Sequence, residues 1–494
     1  MFEVAEIGHK LSKKEFNKLE IELQTRLLES QFKLKDTRHS VIILLSGVEG
    51  AGKSQVVNRL NQWLDSRGIE TNAFWDETDE QAMRPDFWRF WRVLPARGSI
   101  SIMFGSWYTQ PIVKRVYGEI DEAEFERQLT HIREFENMLV QDGAIIIKLW
   151  FHISKQSVID RLESDSKQRK TAPQTEHHIK QYEQFLPVSE QAIRSTEQHM
   201  LPWHIIEASD VRYRDIAAGE IILKTLQERL QAENNGNIQP PDSSGLEKLG
   251  NQPTILDHVN LQASLSEDKY HRELEKAQSR LNRLTWLARE QRRSVVAVFE
   301  GWDAAGKGSA IRRVTQAIDA RLFKVISTAA PTDEEAAHHY LWRFWRHIPL
   351  AGYTTIYDRS WYGRVLVERV EKFTPEADWS RAYAEINHFE EQLHERGIIL
   401  CKFWLHISPE EQLKRFEERQ NIPWKQYKIT EEDWRNREKW DDYKQAIDDM
   451  VAHTSTQFSP WNLIAGNDKK HARVEIVKTL CHAIKAGLNE AKKD

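Results

Sequence analysis

Two homologous α/β domains in tandem, each a parallel sheet with helices on both faces, are what this sequence predicts. Three observations carry that expectation. One internal repeat runs at a fixed offset, strands alternate with helical stretches inside each copy, and a glycine-rich turn joins a buried strand to a helix in both.

The repeat is read directly. VIILLSGVEGAGKS begins at Val41 and VVAVFEGWDAAGKG at Val295, 254 positions later. The pentapeptide WRFWR starts at Trp88 and again at Trp342, SWY at Ser106 and Ser360, and KLWFHIS at Lys148 matches KFWLHIS at Lys402, all at the same offset. Chance does not hold a register across more than a hundred residues. The expected division is residues 1–230 and 255–494, with a linker at 231–254 rich in Asn, Gly, Pro and Ser.

In the second copy the expected order starts with a charged helix, Lys269–Glu290. The strand VVAVFEG follows, apolar throughout its length, as a strand buried on both faces should be. A glycine loop leads into the helix AIRRVTQAID. The strand FKVIST, a helix over Glu334–His347, the strand YTTIYD and a helix around Val365–Glu371 come next. A long helix ends near Arg396-Gly397, and IILCKFWLHIS is the following strand. Ligands of such sheets sit at the C-terminal ends of the strands. The 18 tryptophans fall mostly among apolar residues at helix or strand spacing, so they read as large core residues.

Composition limits the class. The 494 residues are 40% hydrophobic and 29% charged, with a formal net charge of −5. That balance argues against a nucleic-acid protein bound through bulk charge. No stretch approaches 18 continuous apolar residues, so no membrane span is expected. No basic region precedes an apolar one at the N-terminus, and Cys401 and Cys481 are far apart in sequence. A cytoplasmic protein without a disulfide is the expectation.

Both glycine turns have the strand–loop–helix context of a phosphate cradle, which identifies each copy as P-loop kinase-like. Backbone N–H groups must converge on one concavity, the helix N-terminus adds positive potential, and a lysine reaches the phosphoryl oxygens. Gly47 to Ser54 fits GxxxxGK[ST] in full. The second loop supplies Gly301, Ala304, Ala305, Gly306, Lys307, Gly308 and Ser309, with Gly308 where a hydroxyl usually touches magnesium.

Pattern alone would choose the first copy as the enzyme, but the carboxylates choose the second. Phosphoryl transfer needs a metal, and Mg2+ prefers hard oxygen ligands. Asp303 lies in the second loop and Asp358 ends the strand YTTIYD, so these are the expected metal ligands. Arg359 follows and can offset charge on the transferring group. In the first copy Phe104 and Gly105 stand in their places, and Glu49 stands for Asp303. The first copy is therefore expected to be inactive and structural. Asp358 as a helix cap, or paired with Arg359, is the competing reading; Glu368 is a nearby acid or a surface charge.

GWDAAGKG after a strand, with YDRSWYGR downstream, resembles the polyphosphate kinase 2 family. The resemblance covers nearly the whole second copy, including WRFWRHIP, FWLHIS and SPWNLIAGNDKKHAR. A degenerate first copy joined to an intact second one is similar to the family's two-domain members, which phosphorylate AMP to ADP from inorganic polyphosphate. The resemblance implies catalytic roles for Asp303, Lys307, Asp358 and Arg359, with Mg2+, or Mn2+, at Asp303 and Asp358. It also implies a helical lid near residues 409–450, a homo-oligomer with a dimer favoured, and ADP or GDP as alternative acceptors.

Arg415 and Arg419 are four apart and share a helix face in the lid region, followed by Lys425 and Lys428. They are candidate phosphate ligands, or charges of an ordinary helix with interleaved glutamates. Arg343 is a further phosphate candidate; Arg343 and Arg346 would equally pack between tryptophans. Lys469, Lys470 and Arg473 are chain-binding candidates or surface cations. His338-His339 lacks further ligands at zinc spacing. A nucleotide kinase using ATP shares the fold and the loop and is the rival reading.

Overall fold

The structure, a computed structural model, describes residues 1–158, 182–234, 254–423 and 429–490. The chain divides into two compact units. One comprises Met1–Glu77, Arg89–Gln239 and Asp333–His339; the other comprises Thr78–Trp88, Pro240–Thr332 and Tyr340–Asp494. Residues 78–88 thus group with the second unit and residues 333–339 with the first.

The first sheet has β1 (Ser40–Gly47), β2 (Ile69–Ala73), β3 (Ile100–Phe104), β4 (Ala144–His152) and β5 (Trp203–Glu207), in the order β2-β3-β1-β4-β5. The second has β6 (Val295–Gly301), β7 (Phe323–Ser327), β8 (Thr354–Asp358), β9 (Ile399–His406) and β10 (Trp461–Ala465), in the equivalent order β7-β8-β6-β9-β10. Every pairing is parallel. Two α/β units with equivalent topology match the expectation from the repeat.

The central strand β6 is buried on both sides, with Val295 to Phe299 at most 1% exposed. Each of its buried valines and Phe299 stabilises the fold by roughly 1.5–3 kcal/mol relative to exposure. Strand order reverses at β6, which opens a crevice beyond its C-terminal end. Register then decides what faces that crevice. Phe299 pairs with Asp358 of β8, and Gly301 pairs with Leu405 of β9. The loop and the acidic end of β8 therefore leave the same edge side by side.

The helix expected over Glu334–His347 is two short turns, Asp333–Ala336 and Trp342–Trp345. Trp342, Phe344 and Trp345 are all buried, so that segment has no single apolar stripe to lay on a core. Among the described residues no helix is long and apolar enough to cross a membrane.

A buried ion pair braces each unit. Lys402 on β9 and Glu390 on the helix Glu376–Glu395 are 2.7 Å apart with both side chains at zero exposure. Lys402 Nζ also donates to Tyr362 Oη and Thr454 O, while Trp361 Nε1 and Tyr362 Oη donate to Glu390. Lys148 and Glu136 repeat this in the first unit, with Trp107 and Tyr108 donating to the glutamate. Removing one partner leaves an uncompensated buried charge. Lys402→Ala should therefore lower unfolding free energy by about 3–5 kcal/mol, and pairing it with Glu390→Ala should cost less than the sum of the two single changes. Urea unfolding of the three variants measures both outcomes.

Candidate active site

The second loop is built from constrained backbone. Gly301 has φ +152°, and a Cβ there would lie 2.7 Å from Leu405 O, so only glycine fits against β9. Gly306 caps the helix Lys307–Thr315 from the left-handed region at φ +109°. Lys307, the first helical residue, turns back so that Nζ donates to Gly301 O at 2.5 Å and Trp302 O at 3.3 Å. Loss of water lowers its pKa, and the Asp303 carboxylate works against that shift. Gly308 is exposed, and the hydroxyl one position on, Ser309 Oγ, donates to Gly306 O.

The structure gathers Asp303, Lys307, Asp358 and Arg359 around one cavity of about 450 Å³. Asp303 sits between two donors. Arg359 Nη2 reaches Oδ1 at 3.1 Å and Asn436 Nδ2 reaches Oδ2 at 3.0 Å. Arg359 thus pairs with the loop acid rather than with its neighbour Asp358. Tyr443 Oη donates to Asn436 Oδ1, which fixes the amide orientation. Arg312, Arg419, Lys469 and Arg473 also line the cavity, so its walls carry more positive than negative side chains.

Arg359 holds a left-handed backbone at φ +63°, as does Ala304 at φ +62°. For residues with a Cβ this costs on the order of 1–3 kcal/mol each. The corresponding residues of the first copy are Gly105 at φ +77° and Gly50 at φ +76°, where the same turns carry no such cost. A Cβ on Gly105 would meet Phe74 O at 2.7 Å. In the first loop Lys53 Nζ donates to Gly47 O and Val48 O, as Lys307 does in the second. There the buried Arg214 packs against Gly52 and donates to Ala51 O.

Several sequence candidates have protein partners of their own. Arg415 is 2% exposed and all five of its N–H groups are committed to protein. It donates to Ala304 O, Ala305 O, Gly466 O, Asn467 O and Glu411 Oε1. It lines the cavity, and the donors of its guanidinium hold the loop carbonyls in place. Arg343 is absent from the cavity lining, with Nη2 on Ala329 O, and Arg346 lies over the Trp342 ring. Lys470 pairs with Glu267, and Glu368 pairs with Arg364. Lys425 and Lys428 lie outside the described residues.

Other neighbours were not anticipated. A smaller cavity of about 80 Å³ shares Trp302, Asp303, Lys307 and Arg359 with the larger one and adds Glu300, Asn436 and Tyr443. Glu300 is 5% exposed; burial raises its pKa, against the lowering effects of Ser360, Lys307 and Arg359. The repeat carried its signal, since Ser46 stands at that position in the first copy. Nothing in the sequence singles out Asn436. Trp302 stacks on Trp440 at 3.6 Å and 6°, and its Nε1 donates to His406 Nδ1.

Comparison with known proteins gives one answer for both copies. The family model described as polyphosphate kinase 2 matches residues 10–234 and 264–492. The chain is 47% identical to a polyphosphate:AMP phosphotransferase of Pseudomonas aeruginosa over the whole of both chains. It is 36% identical to one of Acinetobacter johnsonii over 94% of this chain and 96% of that one. A crystal structure of a polyphosphate kinase 2 from Pseudomonas aeruginosa PA01 superposes with a TM-score of 0.88 at 46% identity, covering 99% of this chain and all of the other.

The His406 contact has a measurable consequence. Burial lowers its pKa from the ordinary 6.5 to about 4, so the folded state prefers the neutral ring that accepts from Trp302. The unfolded chain takes up this proton first as pH falls. The contribution of His406 to stability is therefore intact above pH about 6.5 and is lost progressively towards pH about 4, by up to roughly 3 kcal/mol. Urea unfolding between pH 4 and 7 should show a shallower pH slope in His406→Gln than in the parent.

Proposed function

The chain belongs to the polyphosphate kinase 2 family, and from that premise we propose that its second unit transfers a phosphoryl group from inorganic polyphosphate to AMP, giving ADP, with Mg2+ held by Asp303 and Asp358. One observation supports this placement above the others. The cation-lined cavity, the constrained loop and two carboxylates come together at Lys307, whereas beside Lys53 Phe104 stands in place of Asp358 and Gly105 in place of Arg359.

The donor set suits a hard divalent cation. Asp303 and Asp358 offer carboxylate oxygens beside a loop that receives phosphate, and magnesium sites of this kind use one or two carboxylates with substrate oxygens completing the shell. Bound there, the ion would neutralise phosphate oxygens. The rest is work for the chain itself. Lys307 releases the carbonyls of Gly301 and Trp302 and takes phosphoryl oxygens. Loop N–H groups orient the donor, and Arg359, steadied by Asp303, offsets charge on the transferring group. No covalent intermediate is needed, since positioning and charge neutralisation suffice for direct in-line transfer.

Arg312, Arg419, Lys469 and Arg473 fit a donor carrying a charge on every residue of its chain. The buried thiols Cys401 and Cys481 suit a reducing cytoplasm. The first unit serves as scaffold.

A donor exchange tests the reading. Purified protein is given AMP with polyphosphate or with ATP, and ADP is measured. ADP from polyphosphate is expected; ADP only from ATP overturns the proposal. Lys307→Ala and Asp358→Asn should each lower kcat by about 100-fold or more, whereas Lys53→Ala should retain activity. Chelation by EDTA should abolish turnover and added Mg2+ restore it. Raising salt should weaken apparent affinity for polyphosphate more than for AMP.

A further inference from the structure

Glu300 is a buried carboxylate one residue before the first loop glycine, and it forms no ion pair among the described residues. Burying such a group is unfavourable unless its bonds accomplish something. Its hydrogen bond is specific: Ser360 Oγ donates to Glu300 Oε1 at 2.8 Å. The same Ser360 oxygen accepts from Tyr362 N and caps the short helical turn Trp361–Arg364. The carboxylate on β6 is thereby tied to the residue directly after Arg359.

That turn needs holding. Arg359 keeps a side chain at positive φ, in a conformation that persists only where its surroundings over-determine it. Three bonds do so. Arg359 N donates to Phe299 O, Thr328 Oγ1 donates to Arg359 O, and Ser360 Oγ donates to Glu300.

The chain contains its own control. Ser106 is the counterpart of Ser360, and its Oγ accepts from Tyr108 N at the same 3.3 Å. In that copy the turn residue is Gly105, which adopts positive φ freely. Ser46 and Phe74 stand where Glu300 and Thr328 stand, and Ser106 N is held by Thr109 Oγ1. The carboxylate and the threonine occur in the copy that forces a side chain into the turn.

We propose that Glu300 is a positioning residue, acting through Ser360 to hold Asp358 and Arg359 in register with the loop. It rests on the functional reading only in placing the reaction at this site. The required property is a hydrogen-bond acceptor at this position, and its negative charge is incidental.

Steady-state kinetics separate the possibilities, using whichever phosphate donor and acceptor the parent protein turns over. A wrong donor or acceptor then shows in the parent alone, while this inference is read from ratios between variants. Glu300→Ala should lower kcat by about tenfold or more, the scale expected for misplaced reacting groups, with a smaller change in KM. Ser360→Ala should reproduce that loss. The double variant should be no worse than the poorer single one, because both remove the same bond. Glu300→Gln, whose amide oxygen still accepts from Ser360, should restore most of kcat. Melting temperatures check that each variant is folded; if Glu300→Ala is not, Ser360→Ala and Glu300→Gln carry the test. Glu300→Gln as impaired as Ser360→Ala, or Ser360→Ala at parental kcat, overturns the assignment.

Discussion

The second unit depends on a lysine and a glutamate that meet without water. Lys402 and Glu390 join β9, which lies beside the loop strand β6, to the long helix that follows the turn at Asp358 and Arg359. Through Trp361 and Tyr362 the pair also grips the segment directly after Asp358 and Arg359. Such a pair is weak evidence for net stability, because desolvation opposes its Coulomb attraction. Its value here is directional. One charged centre with several fixed hydrogen-bond partners admits one arrangement of strand, helix and turn, whereas an apolar cluster would tolerate several. The Lys148–Glu136 pair reproduces the arrangement in the first unit, so the brace belongs to the scaffold and is independent of the chemistry mounted on it.

The copies share a left-handed backbone at two turns and differ in the residue that adopts it. The second copy keeps Ala304 and Arg359 at positive φ, where the first has Gly50 and Gly105. In the first copy glycine takes the same turns without that strain. The exchange does not reverse easily. Phe74 O lies where a Cβ on Gly105 would go, so an arginine there needs backbone movement as well as substitution. The copy with the complete GK[ST] signature is thus the one whose surroundings have settled into a relaxed state. A motif reports the loop alone, and the remainder of the site has to be read from what stands at the end of β8.

Much of this was legible because the chain is its own alignment. The 254-residue offset exposed Phe104 opposite Asp358 and Gly105 opposite Arg359, and alternation of strands with helices gave the sheet. Glu300 against Ser46 was equally visible, but an acid at a strand end carries no mark of burial. The contacts of Arg415 were hidden for a different reason. Helical spacing places it on a face with Arg419, yet spacing says nothing about five carbonyl and carboxylate partners, four of which come from the loop and from the residues just after β10. For Arg343 likewise, only tertiary structure shows its guanidinium turned to Ala329 O.

The contacts of the helices at 409–454 change what a lid means in this protein. A lid is expected to close over substrate with its own charges. Here much of its polar chemistry is spent on the loop and its surroundings. Arg415 holds the carbonyls of Ala304 and Ala305, Asn436 holds Asp303, and Trp440 stacks on Trp302. Arg435 and Lys439 converge on the buried carboxylate of Glu371. Three separate side chains therefore fix three consecutive loop residues and the next one, Trp302 to Ala305, which include the strained Ala304. A loop with residues at positive φ and a carboxylate at its centre has reason to fluctuate, and these contacts oppose that. Arg312, Lys469 and Arg473 line the cavity from its other walls, and Arg419 joins Arg415 from the lid side. Preorganising the acid and its arginine before substrate arrives leaves less ordering to be done in the transition state, where positioning supplies most of the catalysis in phosphoryl transfer.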